Sequence, residues 1–238
     1  MSHPARTPSR VRTCLRRVTL ARLGVAVVLA GTAATAGGCG PLALATHALT
    51  RQEVQASYAG LKGQTVTVMV TADRGTKIEH PKIQLDIAQS LVAGMKESQN
   101  RKAEELAGTT FPDKSSPLNV FTYQKMYPQV DYEPITQLAP RFEVSRLIYV
   151  EIESFTLNPA DVVELFRGEL TARVRVIEVT GTGPGATAKV AFDDKVTAKF
   201  PEKAPDAGTP NLDRRTTYLG TVGRFTTETL KRFVAYEQ

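Results

Sequence analysis

The sequence predicts an α/β chain: a mixed sheet with helices packed against it, in the order β-α-β-α-β-β-β-α. Three observations carry that prediction. Thr65-Val66-Thr67-Val68-Met69-Val70 alternates before turning aliphatic, the pattern of a strand. Ile83, Ile87, Leu91 and Met95 then recur every fourth residue with Ala88 and Val92 beside them, which is one apolar helical stripe. Finally, Gly181-Thr182-Gly183-Pro184-Gly185 lies between two long alternating segments, residues 168–179 and 186–200, and marks a hairpin.

The remaining elements follow from local signals. Residues 40–60 mix alanine, leucine and polar residues and read as a tether, partly helical, leading to Gly60 and Gly63. The first strand ends in the loop Ala72-Asp73-Arg74-Gly75, and His80-Pro81 opens the following helix, Pro81 suiting its first turn. Residues 96–105 are polar and expected to be exposed. Pro112 and Pro117 bracket a loop, after which Leu118-Asn119-Val120-Phe121 reads as a short buried strand, followed by Tyr123, Tyr127 and Pro128. Residues 134–142 read as a short helix ending near Pro140. Residues 146–155, with Leu147-Ile148-Tyr149-Val150 at their centre, form the clearest strand. Residues 203–210 are a surface loop, and Leu219, Val222, Phe225, Leu230 and Phe233 mark a closing amphipathic helix from about Leu212.

The chain has 238 residues, a length that fits one domain plus extras, and a formal charge of +6. Its apolar and charged fractions exclude a collagen, a disulfide-scaffold miniprotein and a wholly disordered chain. The excess charge comes entirely from Arg6, Arg10, Arg12, Arg16, Arg17 and Arg22, so residues 39–238 are formally neutral. A polyanionic partner recognised by bulk charge is therefore not expected, and nucleic acid is excluded as a partner class.

Those arginines precede Leu23 to Ala36, fourteen residues without a charge, and then Gly37-Gly38-Cys39. A basic segment, an apolar run and small residues before a cleavage point constitute an export signal. At 1.5 Å per residue the apolar run spans about 21 Å as a helix, short of the roughly 30 Å hydrocarbon core, which argues against a permanent span. An uncleaved anchor helix with an incidental Cys39 is the alternative, and Arg16-Arg17 matches weakly the twin-arginine type of signal.

Ala36-Gly37-Gly38-Cys39 resembles the bacterial lipobox, with Ala36 where leucine is usual. That resemblance implies a signal peptide over 1–38, lipidation of Cys39, and a lipidated tether over 39–62 ahead of one periplasm-facing domain over 63–238. Gly40, where an aspartate would retain a lipoprotein at the inner membrane, implies the outer membrane. Cys14 leaves with the signal and Cys39 becomes acylated, so the mature chain has no free thiol and no internal disulfide; thiolate zinc sites and thiol catalysis go with it. No cofactor is expected beyond the covalent lipid on Cys39.

The lipobox, residues 65–75, the helix after them, residues 123–128, the strand at 147–155, Phe166-Arg167-Gly168 and the hairpin together resemble bacterial envelope lipoproteins. In element order they are similar to the small α/β domain of curli-secretion-channel lipoproteins and penicillin-binding-protein activators. What this implies is a domain that works by binding other envelope proteins or itself. A secretion pore would need a pair of long amphipathic membrane hairpins, and the sequence shows no obvious one.

Four groups of residues could carry chemistry. Glu151 and Glu153 share a strand face, the arrangement that paired-carboxylate catalysis uses, but Arg173 and Arg175 have the same spacing on the next strand. Cross-strand ion pairs on a polar face are the favoured reading, with Ile148, Val150, Ile152, Val174 and Val176 on the core side. Asp73, Arg74, Gly75 and His80 follow the first strand, where open α/β sheets place ligand sites, and form a possible ligand or partner loop; a loop that only turns the chain is the simpler reading. No second His or Cys is spaced to make His80 a metal ligand, and no Gly-x-Ser-x-Gly elbow accompanies it, so neither a metal site nor a triad is expected. Residues 181–185 lack the Lys-Ser/Thr ending of a phosphate loop and precede a strand. Arg214, Arg215, Arg224, Lys231 and Arg232 form a possible basic interaction face on the last helix, or its solvated outer side.

The function expected is non-enzymatic: a lipid-anchored envelope protein mediating protein contacts in envelope assembly or transport, as a partner-binding chain or by self-association. The second reading is a ligand-binding or auxiliary subunit of an envelope transporter, with an apolar pocket near Asp73 and His80.

Overall fold

The computed structural model describes residues 52–158, 165–203, 209 and 212–238, all within the unit Thr50–Gln238. The signal segment, Cys39 and most of the 203–210 loop lie outside the described residues. A four-stranded sheet forms the centre, in the spatial order β2 (Val66–Ala72), β3 (Arg146–Thr156), β4 (Gly168–Thr180), β5 (Thr187–Phe200). β2 and β3 are parallel with Val68 opposite Ile148; β3 with β4 and β4 with β5 are antiparallel. The chain is thus α+β with helices packed on the sheet, as the sequence predicts. β1 (Glu53–Val54) pairs with β6 (Tyr236–Glu237). With Leu61 fully buried, the packed domain begins ahead of Gly63.

One face of the sheet is sealed by two helices. The stripe Ile83, Ile87, Leu91 and Met95 of α2 (Ile83–Asn100) and Val222 and Phe225 of α5 (Arg214–Leu230) bury against Val68, Val70, Ile148, Val150, Ile152, Val174 and Val176. A Cβ on Gly94 would stand 2.6 Å from Leu230 Cδ1, so glycine permits the close approach of α2 and α5. Thr217, Thr221 and Thr226 are buried in α5 because each hydroxyl donates to the carbonyl four residues back, at 2.7–2.9 Å. Leu219, expected in this core, is 55% exposed on the outer side of α5.

The other face is divided. Met69, Leu147, Tyr149 and Ile177 are covered by α3 (Pro117–Met126), the turn Pro128–Tyr132 and α4 (Ile135–Leu138). Beyond this cluster the face is charged. Arg175 pairs with Glu151, Arg173 with Asp193 at 2.7 Å and Lys195 with Glu153 at 2.6 Å. Cross-strand ion pairing therefore occupies both carboxylates that the sequence offered for catalysis.

The expected strand at Leu118–Phe121 is instead the first half of α3. Ser116 Oγ accepts from Asn119 N–H, Pro117 occupies the first turn, and Val120 and Gln124 bury at helical spacing. A four-residue apolar run has no period of its own, and the Ser-Pro start decides it. Residues 135–142 do form a short helix followed by a 3₁₀ turn, and the β4–β5 hairpin turns through Gly181 and Gly183, both at positive φ.

Candidate functional site

The C-terminal ends of the parallel strands β2 and β3 gather the chemistry the sequence singled out. Asp73, exposed at the end of β2, caps α1 (Arg74–Glu79), its carboxylate accepting from Gly75 and Thr76 N–H at 2.7 and 3.1 Å. These hydrogen bonds, led by that from the Thr76 hydroxyl, hold the Asp73 pKa below the usual carboxylate range. Arg74 and Gly75 are exposed on α1. The segment read as a possible ligand or partner loop, or more simply as a turn of the chain, is a capped helical turn.

His80 ends that turn, its N–H donating to Thr76 O at 2.8 Å. Its imidazole is 9% exposed, edge-on to Phe155 with ring centroids 4.7 Å apart and stacked on Tyr218 at 5.7 Å. Burial, with Arg214 helping and Glu79 opposing, pushes the His80 pKa below the ordinary imidazole value, so the ring is neutral at pH 7. Tyr218 donates to Asp86 Oδ2 at 2.7 Å, and burial with that carboxylate raises its pKa well above the phenol range. A cavity of about 330 Å³ opens here, lined by His80, Leu157, Arg214, Arg215 and Tyr218. The fold therefore joins the loop after the first strand to the start of the basic helix, two groups 134 residues apart in sequence as measured from His80 to Arg214.

The expected basic face is spread over several partners. Arg214 pairs with Glu79 at 2.6 Å, Arg224 with Glu202 and Glu228, Lys231 with Glu228 and Arg232 with Asp194. Arg215 alone of the five has no ion pair among the described residues. Among the described residues no three His, Cys, Asp or Glu side chains cluster as metal ligands, and no helix is long and apolar enough to cross a membrane.

A second group, which sequence reasoning missed, lies beside α1. Gln84 of α2 and Gln124 of α3 both donate to the Val70 carbonyl on the outer edge of β2, at 2.7 and 2.9 Å. Gln124 also donates to Asp131 Oδ1 at 2.6 Å, and Lys77 of α1 donates to Asp131 Oδ2 at 2.6 Å. Lys77 packs its ammonium on the Tyr132 ring, 6.0 Å from the centroid. These bonds stitch α1, the 128–132 turn and α3 into one surface.

That surface exposes large apolar side chains among polar ones. Of the large apolar side chains strongly exposed among the described residues, Ile78, Leu118, Met126, Tyr127 and Tyr132 all lie on it, with Ile78 at 71% and Tyr132 at 82%. Only Val190 and Leu219 lie elsewhere. The signal in the sequence was present but masked: once residues 117–126 are helical, Leu118, Lys125 and Met126 point away from the buried pair Val120 and Gln124, with Phe121 at the flank.

No protein-family model matches the chain, and no curated protein matches it. Solved structures with partial likeness include the hypothetical protein CT253 from Chlamydia trachomatis, at 13% identity over 72% of this chain and 97% of that one, TM-score 0.38. A PelC dodecamer from Paraburkholderia phytofirmans matches at 9% identity over 78% and 98%, TM-score 0.35. The lipoprotein GNA1162 from Neisseria meningitidis matches at 9% identity over 71% and 94%, TM-score 0.36.

Proposed function

We propose that this protein is a non-enzymatic, lipid-anchored component of the cell envelope, held through Cys39 at the outer membrane facing the periplasm, whose domain binds another envelope protein during assembly or transport. The observation that carries the reading is the exposure of Ile78, Leu118, Met126, Tyr127 and Tyr132 on α1, α3 and the turn that Lys77, Gln124 and Asp131 tie together, in a chain whose first 39 residues read as an export and lipidation signal. Exposed apolar side chains are unremarkable singly, but contiguous patches mark contact surfaces, and tyrosine and methionine are enriched in them. Several acyl chains on Cys39 would hold where one only visits, since each buried CH₂ contributes roughly 0.8 kcal/mol.

The cavity at His80 favours a second reading, a ligand-binding or auxiliary subunit of an envelope transporter, because neutral His80, Tyr218 and Leu157 give it an apolar wall and Arg215 a free cation. Metabolic labelling with a fatty-acid analogue tests the anchor. Label is expected in the wild-type chain and absent from Cys39→Ala; label persisting in the variant, or missing from both, overturns it.

A further inference from the structure

We infer that the α1–α3 surface is a docking site for an acidic amphipathic segment of a partner protein, an inference that rests on the binding role proposed above. Arg74 and Ile78 stand one helical turn apart on the outside of α1. Lys125 lies between Phe121 and Met126 on the outer side of α3, its ammonium 5.2 Å from the Phe121 ring centroid. Neither Arg74 nor Lys125 has an acidic partner among the described residues.

The acids nearby are already engaged. Asp131 is held by Lys77 and Gln124, Glu133 pairs with Arg141 at 2.6 Å, Glu79 pairs with Arg214, and Asp73 caps α1. What remains for an incoming group is a set of exposed apolar side chains with two cations that have no acidic partner among the described residues. A partner complementary to it presents apolar anchors with carboxylates beside them, the pattern of an acidic amphipathic helix laid on an exposed apolar face. A second copy of the same face would set Arg74 and Lys125 against their equivalents, and like charges disfavour that pairing. An anionic bilayer would gain from only two cations, about 1 kcal/mol each, which is weak attachment for an exposed domain.

The test places a photo-crosslinking amino acid at Met126 or at Tyr132 in the full-length chain in intact cells and maps each adduct by mass spectrometry. Both positions are strongly exposed, and thermal melting of each chain checks that the fold is kept. Adducts are expected on another polypeptide, in a segment where acidic and apolar residues alternate at helical spacing. Arg74→Glu combined with Lys125→Glu is expected to lower the yield about fivefold or more. Adducts on a protein segment without acidic residues, or a yield indifferent to charge reversal, overturn this inference and leave the binding role standing. Adducts only with lipid, or none, overturn both; adducts with a second copy of the chain overturn the inference and turn the binding role into self-association.

Discussion

The two faces of the sheet are held on different terms. Under α2 and α5 the whole face is covered, and its centre is closed by apolar side chains: Val68, Ile148, Val150, Val174 and Val176 meet Ile87, Leu91 and Phe225 with none of them more than marginally exposed, while polar bonds such as Gln84 to the Val70 carbonyl and Tyr218 to Asp86 lie at the edges. On the other face the cover reaches only part of the way, and polar groups pin it. Gln124 and Asp131 fix α3 and the 128–132 turn to the end of β2, while the uncovered remainder is a ladder of ion pairs. A helix that seals a face can present a polar back to water. A cover fastened by buried polar groups can leave large apolar side chains on its outer side, as Ile78, Met126 and Tyr132 are here.

Substitutions can break this contrast. Phe225→Ala, in the sealed face, should cost about 3–5 kcal/mol, read as a shift in the urea midpoint with an unchanged slope. Gln124→Leu should cost less, about 1–3 kcal/mol, because it removes one of two donors to the Val70 carbonyl and one of two partners of Asp131. A loss at Gln124 as large as at Phe225 would mean that both faces depend on their covers alike. In the open ladder, Lys195→Met should change stability by less than about 1 kcal/mol, and 1 M salt should erase the difference.

Acid should act through His80. Its folded pKa lies below the unfolded value because burial disfavours the imidazolium, with Arg214 adding repulsion and Glu79 opposing. The unfolded state therefore takes up the proton first, and stability present at pH 7 declines as pH falls through the unfolded imidazole range. His80→Phe, which keeps a ring against Phe155 and Tyr218, should flatten the loss of stability between pH 7 and pH 5. An unchanged slope would place the acid sensitivity elsewhere.

Periodicity made the sealed face legible: the stripe from Ile83 to Met95 and the alternation of β2, β3 and β4 each point at one core. The charged ladder was legible in part: Glu151, Glu153, Arg173 and Arg175 share a spacing of two, but only Arg175–Glu151 forms among them, the other pairs drawing on Asp193 and Lys195 of β5. What escaped was the cover of the second face. Leu118-Asn119-Val120-Phe121 is too short to show a period, so the helix-starting Ser116-Pro117 had to be weighed against an apolar run. Asp131, Gln124 and Lys77 are far apart in sequence and carry no motif, and their meeting depends on where α3 crosses β2. The pairing of His80 with Arg214 and Tyr218 escaped for the same reason, since only the chain's return through α5 brings them together.

The central claim, that a lipid on Cys39 anchors this domain in the envelope, is tested most directly by the mass of the mature N-terminal peptide purified from membranes. The expected peptide begins at Cys39 and carries a thioether-linked diacylglycerol and an N-acyl chain. A peptide that begins at Cys39 unmodified, or a mature chain that retains residues 1–38, would contradict it.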